Sequence, residues 1–282
     1  MYNRIGQDTY YVTFKAMTVI ALIVCNMFAI SNVCRANTTE TNHFTIEYFG
    51  DQNSAYSRIA GNYLESAYSR YLNDFLFSQS GRSSATGKYE IYLRTFIPPG
   101  AQGQTLMKLG QTDGETIMRL VYNLDPVEKL DLNKTCYHEY FHAVTNTYLP
   151  YAKLWSGYKD NAAAQIWCIE GLARLMEYLG PYYPDYPFQA AVPMGQEAGW
   201  LKGSEKSLRT RNHGYDAFLY WYFISCNQHV PFDKNLIHTS IITNFWKELS
   251  KEKDWDAGNE QTEKVMDAAL TNSPSTANTF KK

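Results

Sequence analysis

The stretch "TCYHEYFHAV", residues 135–144, places two histidines four positions apart, with a glutamate directly after the first. On a helix, residues four apart differ by about 40° around the axis and about 6 Å along it, so His138 and His142 can present both imidazoles to one point. Glu139 falls within the same arc of roughly 100°. Apart from these three, every residue from Thr135 to Val144 is uncharged, and Tyr137, Phe141 and Val144 form an apolar stripe that would bury the helix. Imidazoles on a buried helix need partners. One reading is a metal ion between them, with Glu139 as a base beside it; the other is a solvated or hydrogen-bonded pair with no metal. A third ligand would favour the first.

That ligand is found downstream in "WCIEGLARLMEY", residues 167–178. Trp167, Ile169, Leu172, Leu175 and Met176 make a largely apolar helix that carries one early acid, Glu170. A carboxylate in such a setting is costly unless it is paired or bound to a metal. Gly171 and Ala173 keep the surface beside it small, as close packing next to an ion requires.

His138, Glu139 and His142, followed by Glu170 within "EGLA", resemble the gluzincin metallopeptidases, whose second helix carries the third zinc ligand in an E-G-x-A context. The chain looks like secreted, stand-alone bacterial gluzincin domains. The resemblance implies an α+β fold: a small mixed sheet with a backing helix and an edge strand, followed by a mostly helical half that carries the zinc site. It also implies one Zn²⁺ held by His138, His142 and Glu170, with a fourth position open. Zinc in such a site brings the pKa of water towards about 7, and Glu139 can take that proton and pass it to a leaving amine. The expected reaction is hydrolysis of a peptide bond in a protein or peptide substrate.

Two departures from the family pattern matter. Many gluzincins carry an acid four residues after the glutamate ligand to orient the first histidine, and Arg174 stands there instead; Glu177 or a backbone carbonyl is the candidate replacement. No G-A-M-E-N-like segment precedes the motif, so an endopeptidase is expected rather than an aminopeptidase. The tetrahedral oxyanion needs a further donor. Tyr215 and His213, in "RNHGYDAFLYWYF" (211–223) at the expected start of a helix, are the candidates, against ordinary capping or core roles.

Working outward, the amino terminus reads as a signal peptide over residues 1–36. Arg4 and Lys15 precede the apolar run from Ala16 to Ile30, and Cys34 and Ala36 offer small residues for cleavage after Ala36. The alternative is a retained membrane anchor, but Asn26, Ser31 and Asn32 interrupt the run before the roughly 20 apolar residues a span needs. Export, whether secreted, periplasmic or at the cell surface, is therefore expected, with no stable membrane association after cleavage. The mature chain would keep Cys136, Cys168 and Cys226, enough for at most one disulfide, and no C-x-x-C pair points to a cysteine zinc site. Cys136 and Cys168 each precede a ligand by two residues, a turn of about 200° that directs both thiols away from the metal.

The balance of 26 basic and 28 acidic residues provides no basic field for nucleic acid. Oligomeric state is not readable. Between the leader and the motif the pattern predicts a strand over 43–49, a helix over 53–76, a strand over 88–96, a loop at "IPPGAQGQ" (97–104), a strand over 115–124 and a helix start near Asp125 and Pro126. The metallopeptidase-like domain is set at 37–250. Residues 251–282 read as a polar tail or the start of a truncated helical extension, although Val265, Met266, Ala269 and Leu270 have helical spacing. With both ligand helices and Glu139 present, an enzyme is favoured over a noncatalytic exported binding or surface protein on the same scaffold.

Overall fold

Alternation decides the sheet. In β2 (Phe44–Phe49) and β3 (Tyr89–Arg94) every second residue is buried, so Phe44, Ile46, Tyr89, Ile91 and Leu93 share one face. The computed structural model from which the architecture is read describes residues 36–78, 82–83, 85–94, 103–107, 115–121, 128–148, 168–178, 217–225, 239–251 and 259–271. It shows an α+β fold built on a five-stranded mixed sheet in the order β1-β2-β3-β5-β4, completed by β1 (Ala36–Glu40), β4 (Gly103–Met107) and β5 (Thr116–Val121). β2, β3 and β5 run parallel, while β1 and β4 pair antiparallel to their neighbours at the two edges.

Between β2 and β3 the chain crosses through α1 (Ser54–Ser69), as parallel neighbours require. Tyr56, Ala60, Leu64, Ala67 and Tyr68 recur at helical spacing and are buried. At Gly61 the helix lies so close to the sheet edge that a Cβ would stand 2.8 Å from Thr41 Cγ2 and 3.3 Å from Ile46 Cδ1, so glycine sets this approach. The helix expected over 53–76 ends in a π-helical turn, Arg70–Asp74, which buries Tyr71 and Leu72; Leu76, beyond it, has a positive φ of 57°.

α2 (Glu128–Thr145) carries the motif and is fixed from beneath by aromatic rings. Tyr140 meets Phe44, Tyr71 and Tyr89 with ring centroids 5.3, 5.7 and 5.0 Å away. Tyr71 Oη also donates to the Tyr137 carbonyl at 2.9 Å, and Ser66 Oγ lies 2.9 Å from Tyr137 Oη. The apolar stripe read from the sequence is real: Tyr137, Phe141 and Val144 are all buried.

One expectation needs correction: Gly103 and Gln104, read as loop, begin the edge strand β4. Ala36–Glu40, to which the sequence assigned no element, forms β1 against β2. β5 is interior, with β4 beyond it at the edge. β5 is described over Thr116–Val121, and residues 122–127, where the end of this strand and the helix start were read, lie outside the described set, as does the leader before Ala36.

The helical half comprises α3 (residues 168–178), α4 (Phe218–Ser225), α5 (Thr239–Lys251) and α6 (Asn259–Thr271). Leu172, Leu175, Trp221, Phe245, Trp246, Val265 and Ala269 are buried in the same apolar cluster as the sheet and α2. The helical spacing noted near the carboxyl terminus is thus used by α6. Among the described residues, no helix is long and apolar enough to cross a membrane.

Candidate metal centre

α2 and α3 bring together the three residues chosen as ligands. His138 Nε2 and His142 Nε2 lie 3.0 Å apart, and Glu170 Oε2 lies 3.1 Å from the first and 3.6 Å from the second. Bonds of about 2.0–2.1 Å in tetrahedral geometry separate ligand atoms by about 3.3–3.4 Å, so this triangle has the size that one ion of the zinc class needs. Among the described residues it is the one group of His, Cys, Asp or Glu side chains whose donor atoms converge, all within 4.8 Å of one another. Two imidazole nitrogens and one carboxylate oxygen also match the donor set of a catalytic rather than a structural site.

His138 is gripped at both nitrogens by one helix. Glu170 faces its Nε2, while Glu177 Oε1 lies 2.8 Å from its Nδ1. The two acids are two helical turns apart on α3, so they share a face and bracket the ring. Glu177 is buried, and its other oxygen lies 3.3 Å from Arg174 Nη1. Glu177 therefore fills the orienting role that the arginine at 174 cannot, and Arg174 in turn holds Glu177. With a proton on Nδ1 shared with Glu177, Nε2 is the nitrogen turned to the ligand triangle.

The electrostatics of the metal-free cluster follow from this packing. Burial opposes charge on His138, but Glu170 and Glu177 outweigh it and draw its pKa up to about 10. Burial likewise opposes charge on Glu170, yet the two imidazoles hold its carboxyl well below the usual range. The cluster thus stores a proton where an ion would bind.

Glu139 is held from β4. It is buried, and its carboxylate accepts a hydrogen bond from Thr105 Oγ1 of β4 at Oε2, 2.6 Å away. Thr105 also lies 2.9 Å from the Glu139 carbonyl. The sequence reading missed Thr105 because it placed the preceding residues in a loop. A usable signal was the pair Gly103 and Thr105, which share one face once the stretch is read as a strand.

Cys136 and Cys168 are both buried, and Cys136 Sγ turns to α1, 3.9 Å from the Ala60 carbonyl. Burial pushes the Cys136 thiol far above its ordinary pKa, and its sulfur is not among the converging donors. His213, Tyr215 and Cys226 lie outside the described residues; the helix expected after Tyr215 is present as α4, entered through Ala217.

In comparisons with known proteins, no family model matches the chain and no curated protein is significantly similar to it in sequence.

Proposed function

We propose that the chain is an exported zinc metallopeptidase that hydrolyses internal peptide bonds of protein or peptide substrates. The observation that carries this reading is the convergence of His138, His142 and Glu170 with Glu139 on the same helix beside them. Zinc held by those three residues would supply Lewis-acid chemistry: it makes water nucleophilic near neutral pH and polarises the scissile carbonyl.

The chain's own groups do the rest. Glu177 fixes the His138 ring at Nδ1, so that Nε2 keeps its direction. Glu139 takes the proton of the attacking water at a carboxylate oxygen and delivers it to the leaving amine nitrogen, which cannot depart as an anion. The oxyanion donor is assigned on sequence alone to Tyr215 or His213. Export rests likewise on the sequence of residues 1–36, and endopeptidase action on the missing amino-terminal anchor motif.

The test is metal analysis of the purified full chain together with cleavage of casein by wild type and Glu139→Gln. One equivalent of zinc in both, with hydrolysis only in wild type, is the expected result. Zinc without hydrolysis in wild type would favour a noncatalytic binding protein, and equal cleavage by the two would remove Glu139 from the mechanism.

A further inference from the structure

We propose that Thr105 on the edge strand β4 is the positioning residue for Glu139, and that Gly103 is glycine to leave room for the carboxylate so held. The proposal rests on the peptidase reading and adds the element that aims its base.

Three observations converge on it. Thr105 Oγ1 has a single proton and two acceptors from the same residue in reach, Glu139 Oε2 at 2.6 Å and the Glu139 carbonyl at 2.9 Å. The shorter contact is that of a hydroxyl to a carboxylate, among the stronger neutral-to-ion bonds in proteins. It leaves Oε1 as the oxygen not committed to the strand. A Cβ at Gly103 would stand 2.5 Å from Glu139 Cγ, 2.7 Å from Glu139 Oε1 and 2.7 Å from Thr135 Cγ2. The side chain of Glu139 therefore occupies the space that any other residue at 103 would fill. Finally, β4 is itself anchored: Thr105 pairs with Met118 and Gly103 with Leu120 of β5, and both partners are fully buried.

A staple joining β4 to α2 would need the hydroxyl only at the Glu139 carbonyl. The second contact restricts the torsions of a long acid whose rotamers would otherwise spread its carboxylate over several positions. A base held ready in one place lowers the barrier to proton transfer, and displacement by about 1 Å costs up to about 10²-fold in rate. Loss of Thr105 should therefore act on kcat, while the three metal ligands keep their places.

The experiment has two arms on the full chain. In zinc-loaded protein with casein as substrate, Thr105→Val should lower kcat by about 10-fold or more with KM and zinc content unchanged, and Thr105→Ser should restore most of the loss. Gly103→Ala, which keeps the hydroxyl but fills the space, should lower kcat similarly. The second arm uses metal-free protein and no substrate: melting temperatures of Thr105→Val, Glu139→Ala and the double variant. The two single losses should exceed the double loss by about 2–4 °C, since the contact is removed by either change. Additive losses, or a wild-type kcat in both Thr105→Val and Gly103→Ala, would overturn the proposal. Absence of hydrolysis in wild type would instead break the peptidase reading, while the metal-free arm still decides the contact.

Discussion

His138 and Glu139 are neighbours in sequence, yet they are served by different parts of the molecule. His138 is bracketed by Glu170 and Glu177 of α3, a helix that buries Leu172, Leu175 and Met176 on its other side. Glu139, about 100° further round α2, is met by Thr105 of β4, an edge strand. One flank of the site is helix against helix and the other is helix against sheet. On the proposed reading this makes metal retention and proton transfer mechanically separable, so substitutions on the two flanks should fail in different ways.

The largest effect is expected on the ligand flank. His142→Ala or Glu170→Ala removes one of the three proposed ligands, and both stoichiometric zinc and hydrolysis should fall to background, as measured by metal analysis and casein cleavage. Full zinc in either variant would erase the contrast between the flanks.

Next comes the base flank. Glu139→Gln is nearly isosteric and still accepts the Thr105 hydroxyl, but it cannot take a proton from water. Its kcat should drop by about 10²–10⁴-fold with zinc affinity close to that of wild type, read by single-turnover cleavage beside a chelator competition. A parallel loss of zinc would show that the flanks are coupled after all.

A smaller effect sharpens the ligand flank. Glu177→Gln removes the charge behind His138 Nδ1 and beside Arg174, so zinc affinity should weaken by about 10–100-fold while the fold persists. Unchanged affinity in the chelator competition would mean that Glu177 does not set the orientation of the ring.

The smallest effect is a pH dependence of the metal-free protein. His138 is raised from 6.5 to about 10, so its contribution to stability is fully present below 6.5 and is lost as pH rises towards 10. Glu170 is shifted the other way, so its contribution is present above 4.5 and is lost as pH falls. Melting temperatures should therefore be highest, as far as this cluster decides them, between the two ordinary values. His138→Ala should flatten the fall on the alkaline side; an identical pH profile in that variant would show that the ring is not the group responsible. Because zinc takes neutral imidazole, its binding near pH 7 should also release a proton.

Much of the ligand flank could be read from sequence, because helices announce themselves by spacing. His138 and His142 recur at one turn, and Glu170 stands out as a lone early acid on an apolar helix. Glu177 is two turns further along the same face, and the absence of an acid at Arg174 pointed to it. The base flank was hidden for a physical reason. Glycine in "GAQGQTLM" reads as a breaker, whereas Gly103 is small because Glu139 rests against it. β1 was hidden too, since "ANTTE" has no buried face of its own and becomes a strand only by pairing with β2. Strand order could not be read at all: that β4 passes β5 to reach the edge is a tertiary fact, and it is what brings Thr105 to the site.

The proposed site turns on two imidazoles and one carboxylate, with no thiolate, holding one metal ion. Zinc K-edge X-ray absorption on the full chain loaded with one equivalent of zinc tests it most directly. The account predicts a shell of nitrogen and oxygen at about 2.0–2.1 Å with the outer-shell signature of two imidazoles, lost in His142→Ala. Sulfur scattering at about 2.3 Å, or a spectrum unchanged by that substitution, would contradict it.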